Sequence, residues 1–321
     1  MQTERSVNVT ERVRRFGGAL SHALLDPSCR AFVVDGVDGV VPFRVIGKCA
    51  VELGDPICAT AHKGVMQNAF VAHCRGRGWS TIAVATTQAK SERASGAVAF
   101  ADLLFADPRH DPTTGHEGRH LRQNLASVRR KGVSVREYAG ERDEALEARA
   151  EAACERWRRQ QGASMFLTST RLFTERFGRR WFIAEKDGDV VGLLSLLRAD
   201  DVGGNLVNLV FATPDAPGHT TDLLVAETLR VLRDEGAESV CFGIGPRREI
   251  AVDGFHRMSV ALAKTVYRFG DRLVHFRAKT EFWEKFGPLE RAPLFIRFEP
   301  PHLGVRECRA LFRVFHFSLG A

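Results

Sequence analysis

Long apolar runs are missing from this chain. None approaches the ~20 residues that a membrane-spanning helix needs, which argues against a helical membrane protein. The opening MQTERSVNVTERVRRF carries charge but no apolar core, so no secretory signal is expected there. Cysteines number seven, an odd count, and no two of them form a C-x-x-C pair. That spacing argues against a zinc knuckle or a disulfide framework and for reduced thiols in a cytoplasmic setting. Acidic residues fall short of basic ones, 39 against 46, which leaves a net charge of +7. The excess suits an anionic partner such as nucleic acid or a membrane surface, although arginine-rich chains from GC-rich genomes are often basic without function.

What is present is strand and helix patterning in alternation, over 321 residues, enough for two ordinary domains. Val9, Val13, Phe16, Leu20 and Leu24 keep helical spacing up to Asp26-Pro27. Ala31–Val34, Val40–Ile46 and Ala50–Leu53 read as strands, the last ending in Gly54-Asp55-Pro56. A helix over Gly64–Gly76, a buried strand over Thr81–Thr86 and a short strand entering the loop up to Pro112 follow. Beyond them lie a basic helix over Gly118–Gly132, a strand over Val133–Tyr138 and a helix over Glu141–Gln161. Trp181–Glu185 and Val190–Leu197 flank Asp187-Gly188 as a hairpin. The two halves share an order of elements, so two related α/β domains in tandem are expected.

The second half turns on Phe211–Gly243. An apolar strand stops at Thr213-Pro214-Asp215-Ala216-Pro217-Gly218, and a helix then carries Leu224, Val225, Leu229 and Leu232 on one arc up to Gly236. Ser239–Gly243 returns as a short buried strand. A helix N-terminus at the carboxyl end of a strand is where open α/β sheets bind ligands. Enzymes of the N-acetyltransferase fold hold the pyrophosphate of acetyl coenzyme A at such a junction. Here the loop offers Asp215 and Asp222, which repel a pyrophosphate and attract an ammonium. The blander reading gives Asp222 to the helix dipole and Asp215 to a turn.

Three other stretches carry chemistry. His116-Glu117-Gly118-Arg119-His120 matches H-E-x-x-H, but its central glycine weakens a helix and no third ligand follows, so no metal is expected. The basic helix has Leu121, Leu125 and Val128 as an apolar stripe, with Arg119, Arg122, Arg129, Arg130 and Lys131 beside it. Without interleaved acids it suits phosphate-backbone contacts better than internal pairing. Near the C-terminus, Val305, Cys308, Leu311, Phe312, Phe315 and Leu319 share an arc flanked by Arg306, Arg309 and Arg313. That pattern fits either a helix in a membrane interface or one closing a sheet.

An ordered set of short matches runs through these elements: Gly54-Asp55-Pro56; Leu121-Arg122 with Asn124, Arg129 and Gly132; Trp181 to Ala184 with Val190-Val191-Gly192; Asp215 to Gly218 with Asp222-Leu223-Leu224; Phe276 to Lys279; and Lys285 to Pro288. In this set the chain resembles the catalytic domain of phosphatidylglycerol lysyltransferase and its free-standing relatives. It departs where the family's Trp-x-Pro-Arg-Tyr close is replaced by Arg291-Ala292-Pro293-Leu294-Phe295. The resemblance implies two tandem N-acetyltransferase-like domains, each a mixed sheet flanked by helices, over residues 1–135 and 136–300, with an amphipathic helix over 301–321. It implies transfer of an amino acid from charged tRNA to a lipid hydroxyl, phosphatidylglycerol or a sterol, with no cofactor and no DNA partner. Asp222 and Asp215 would take the α-ammonium. Arg119, Arg122, Arg129, Arg130 and Lys131 would hold the tRNA acceptor end. Lys279 and Lys285 would meet phosphate, and the C-terminal helix would touch the cytosolic membrane face. The rival expectations are coenzyme A-dependent N-acyl transfer, tRNA-dependent transfer to a soluble acceptor, and a non-catalytic basic module.

Overall fold

A computed structural model describes residues 9–17, 21, 29–89, 94–160, 172–173, 176, 178–199, 204–274 and 281–314. The strands are β1 (Arg30–Phe32), β2 (Gly39–Ile46), β3 (Cys49–Leu53), β4 (Ile57–Cys58), β5 (Ser80–Thr86), β6 (Gly96–Ala106), β7 (Ser134–Tyr138), β8 (Arg179–Lys186), β9 (Asp189–Ala199), β10 (Gly204–Ala212), β11 (Val240–Asp253) and β12 (Glu290–Glu299). The helices are α1 (Val9–Phe16), α2 (Lys63–Gly76), α3 (Arg119–Arg130), α4 (Glu144–Gln160), α5 (Thr220–Asp234), α6 (Arg257–Val274) and α7 (Val305–Val314). Leu20 and Leu24 of the expected first helix lie outside the described residues.

The expected α/β class holds, as one large mixed sheet flanked by helices. Its order is β1-β2-β3-β5-β12-β6-β11-β10-β9-β8-β7, with β4 on β2. Chain order divides near residue 135, but the sheet does not. β12 comes from the last tenth of the chain and sits between β5 and β6 of the first half. Pro293 gives no sign of such a central strand, because proline removes a ladder donor. It is tolerated because it faces Asp102 on β6, while pairing with β5 begins only at Phe295.

Alternation along the strands sorts the helices between two faces. On β9, Leu194 and Leu196 pack with Leu224 and Leu229 of α5 and with Leu125 of α3. Val190 and Leu193 pack on the other side with Leu146 and Ala150 of α4. On β3, Ala50 meets Phe70 of α2, whereas Val51 and Leu53 share a cluster with Ala263 of α6 and Ala310 and Val314 of α7. Thus α2, α3 and α5 cover one face, and α4, α6 and α7 the other.

The C-terminal helix closes the sheet over its described length. Ala310 and Val314 are fully buried, and Arg44 of β2 donates to the Val314 carbonyl at 3.2 Å. Glu307, also buried, accepts the Gly304 N–H at 3.1 Å and so caps the helix start. Val305 and Phe312 point outward on the side of Arg309 and Arg313, while Phe315 and Leu319 lie outside the described residues.

One glycine decides how closely α5 approaches the sheet. A Cβ at Gly192 on β9 would stand 2.8 Å from the Phe211 carbonyl and 3.2 Å from Leu224. Gly192→Val is therefore expected to cost about 2–3 kcal/mol through overpacking, read as a lower urea midpoint, with Gly192→Ala milder.

Candidate active site

Among the described residues, two strand–helix–strand crossovers lie on the same face, and one of them leaves a gap. In the first, β3 and β5 pair in parallel from Cys49↔Ser80 to Leu53↔Val84. Its exit is tied shut: Gly54 N–H donates to Val84 at 2.8 Å, and the Thr86 and Thr87 hydroxyls donate to Asp55 at 2.5 and 2.6 Å. In the second, β10 and β11 also run parallel but pair only at Leu206↔Cys241. A bulge between Val207 and Leu209 bends β10, which keeps β9 as partner while β11 keeps β6. Asn208, Leu209 and Val210 stay half-buried in a strand deep inside the sheet because that neighbour has left. The two strands separate toward their carboxyl ends, where the loop into α5 begins.

The walls of this gap are fixed. Trp157 of α4 stacks on Phe211 of β10, with centroids 5.3 Å apart. On the β11 side, Asp102 accepts from Arg247 Nε at 2.9 Å and Nη2 at 2.6 Å. Tyr267 of α6 donates its hydroxyl toward the Arg247 and Phe100 carbonyls, at 2.6 and 2.9 Å.

At the first turn of α5, Asp222 is 1% exposed. Lys285 Nζ lies 2.6 Å from its Oδ1 and His219 Nδ1 lies 2.9 Å from its Oδ2. Lys285 is held from behind by the Phe282 ring, 4.4 Å from its Nζ, and Trp283 stacks on Phe242 of β11 at 4.5 Å. His219 adopts φ +72°, a left-handed backbone that costs a non-glycine residue about 1–3 kcal/mol. That turn brings its ring back over the helix start.

The sequence-derived site residues come together only in part. Asp222 does meet an ammonium, that of the chain's own Lys285 on Oδ1, while its Oδ2 faces His219. Lys285, expected at phosphate, is engaged by the same pair, and Lys279 lies outside the described residues. Asp215 is exposed in the loop, where a hydrogen bond with Thr213 and its own backbone N–H hold its carboxyl below the usual range. On α3, Arg122 donates to the Thr113 and Gly115 carbonyls and so closes the preceding loop. Arg129 pairs with Glu227 of α5 at 2.6 Å. Burial pushes the Glu227 carboxyl up, but hydrogen bonds from Arg230 and Arg129 outweigh it and hold it low. Arg119, Arg130 and Lys131 are exposed and make no ion pair with any described residue. His116 and Glu117 stand in a turn ahead of α3, not on the helix face that H-E-x-x-H zinc ligation needs. The His219–Asp222 contact has an i, i+3 spacing at a helix start that the sequence displays, whereas the Lys285 contact spans 63 residues and needs the fold.

Comparison with known proteins gives the family and the fold. The family model for the C-terminal part of phosphatidylglycerol lysyltransferase matches residues 11–298. The chain belongs to this family. Among solved structures, the C-terminal domain of a putative lysylphosphatidylglycerol synthetase from Agrobacterium fabrum is 18% identical, with TM-score 0.76 and coverage of 98% of this chain and 96% of that one. L-PGS from Bacillus licheniformis is 14% identical, with TM-score 0.77 and 97% of each chain covered. At these identities the two structures establish the shared fold. Compared with curated proteins, the chain matches none. No described helix is long and apolar enough to cross a membrane.

Proposed function

We propose that this chain moves an aminoacyl group from charged tRNA to the hydroxyl of a membrane lipid, phosphatidylglycerol first among the candidates, at the cytosolic membrane face. The observation that carries the reading is the open β10–β11 crossover with an exposed carboxylate, Asp215, in its loop. An edge of unpaired strand offers backbone groups to an extended acyl donor, and the loop's charge favours an amino group over a pyrophosphate. Asp215 is the exposed carboxylate offered to the α-ammonium, with Asp222 behind it engaged by Lys285 and His219. The aminoacyl ester is already activated, so holding ester and hydroxyl together supplies much of the rate.

Arg129 fastens the end of α3 to the middle of α5, the helix that starts at this opening. Arg119, Arg130 and Lys131, which make no ion pair with any described residue, are assigned to tRNA phosphates. Reversing all three to Glu is expected to weaken tRNA binding by about tenfold or more at 0.15 M salt. The salt-dependence slope should fall by about 0.7–0.9 per lost contact. Filter binding measures both, and an unchanged slope would remove α3 from the tRNA path. The outward side of α7, with Val305 and Phe312 between Arg309 and Arg313, is the face assigned to the lipid surface.

The deciding experiment incubates the protein with a mixed pool of charged tRNAs and a lipid extract, followed by mass spectrometry of the lipids. RNase-sensitive aminoacylation of a lipid supports the reading. Transfer from acetyl coenzyme A instead, or tRNA-dependent labelling of water-soluble products alone, rejects it.

A further inference from the structure

We propose that His219 is the group that accepts the hydroxyl proton during transfer; this rests on the aminoacyl-transfer reading above. Three observations converge on it. Its Nδ1 lies 2.9 Å from Oδ2 of Asp222, a carboxylate 1% exposed. Lys285 occupies Oδ1 at 2.6 Å, which leaves Oδ2 to accept from the ring. Nδ1 therefore carries the hydrogen, and Nε2 presents its lone pair. The third observation is exposure: half of the His219 side chain, 51%, reaches solvent at the loop that borders the β10–β11 gap. A buried carboxylate, an imidazole held by it and an accessible second nitrogen form a general base awaiting a substrate.

The step balances without a further reactant. As the acceptor hydroxyl oxygen attacks the carbonyl carbon of the aminoacyl ester, its proton passes to Nε2. The new C–O bond forms and the carbonyl pair moves onto its oxygen. Collapse restores the C=O and breaks the bond to the ribose oxygen, which takes the proton from Nε2–H. The products are the aminoacyl ester of the acceptor and tRNA with a free ribose hydroxyl, and His219 returns to its starting state. Asp222 and Lys285 are positioning residues in this scheme: one fixes the ring, the other fixes the carboxylate.

The left-handed backbone makes the test clean. Asn tolerates φ +72° and Gly adopts it freely, so His219→Asn and His219→Gly should both fold. Each is expected to lower kcat by about 10²–10⁴-fold while filter binding of charged tRNA stays at the wild-type value. Added imidazole should restore part of the rate of His219→Gly by filling the vacated space. Wild-type kcat in His219→Asn, or a His219→Gly rate indifferent to imidazole, overturns the proposal. If the wild-type protein itself transfers nothing from any charged tRNA, the parent reading fails and this one with it. Active wild type with an equally active variant sinks the base alone.

Discussion

Asp222→Asn is expected to cut the transfer rate by about a thousandfold or more, the scale seen when the carboxylate behind a catalytic imidazole becomes an amide. The substitution keeps size and shape but offers one acceptor oxygen where two are in use, to His219 and to Lys285. Either the imidazole loses the partner that fixes its tautomer, or the ammonium faces an NH2 group. Folding should suffer less. Lys285 is 39% exposed and can rehydrate, so a loss of about 1–2 kcal/mol is expected. A double-mutant cycle with Lys285→Met separates the two effects, since the stability coupling belongs to the ion pair and the remaining rate loss to His219. Single-turnover transfer and urea unfolding of the same preparations provide both readouts. Transfer at the wild-type rate in Asp222→Asn would take this carboxylate out of the reaction.

Such a site is half legible in the sequence, and apart from the His219–Asp222 contact the rest is non-local. Leu224, Val225, Leu229 and Leu232 share one arc because a helix on a sheet must bury a stripe, and all four are buried. Leu121, Leu125 and Val128 do the same for α3. Periodicity stops informing where partners are distant. β11 reads as a short strand because Pro246, Arg247, Arg248 and Glu249 interrupt its pattern. It runs on to Asp253 because β6 alone carries it past a bulge between Pro246 and Ala251. β12 pairs with residues about two hundred positions earlier, so nothing local marks it as the strand that welds two halves into one sheet. Charge alone is incomplete for a related reason: it points Asp222 and Lys285 each to a substrate group of opposite charge, and only the fold shows that the two also pair with one another.

A second buried carboxylate has consequences for stability and none for the site. Glu52 of β3 is fully buried, and burial pushes its carboxyl up to about 7, against the pull of Arg297 and a 3.0 Å hydrogen bond from Gln67. Glu299 and Asp55 push in the same direction as burial. Around it stand Gln67 and the thiol of Cys74 on α2, Asp55 on the following loop, and Arg297 and Glu299 on β12. Cys74, raised by burial to about 12, stays protonated throughout. Glu299 lies 3.4 Å from Arg297 Nε, so above neutrality two carboxylates share one guanidinium. Because the folded state holds the Glu52 proton more tightly than the unfolded chain, its contribution is full below about pH 4.5 and is lost as pH rises through about 7. The difference of about 2.5 units corresponds to about 3 kcal/mol. Glu52→Gln keeps the shape and the contact to Gln67 but cannot titrate. It should match the wild type below about pH 4.5 and exceed it by up to about 3 kcal/mol at pH 8. Urea unfolding across that range decides the matter: parallel pH profiles for the two proteins would mean that another group carries the proton.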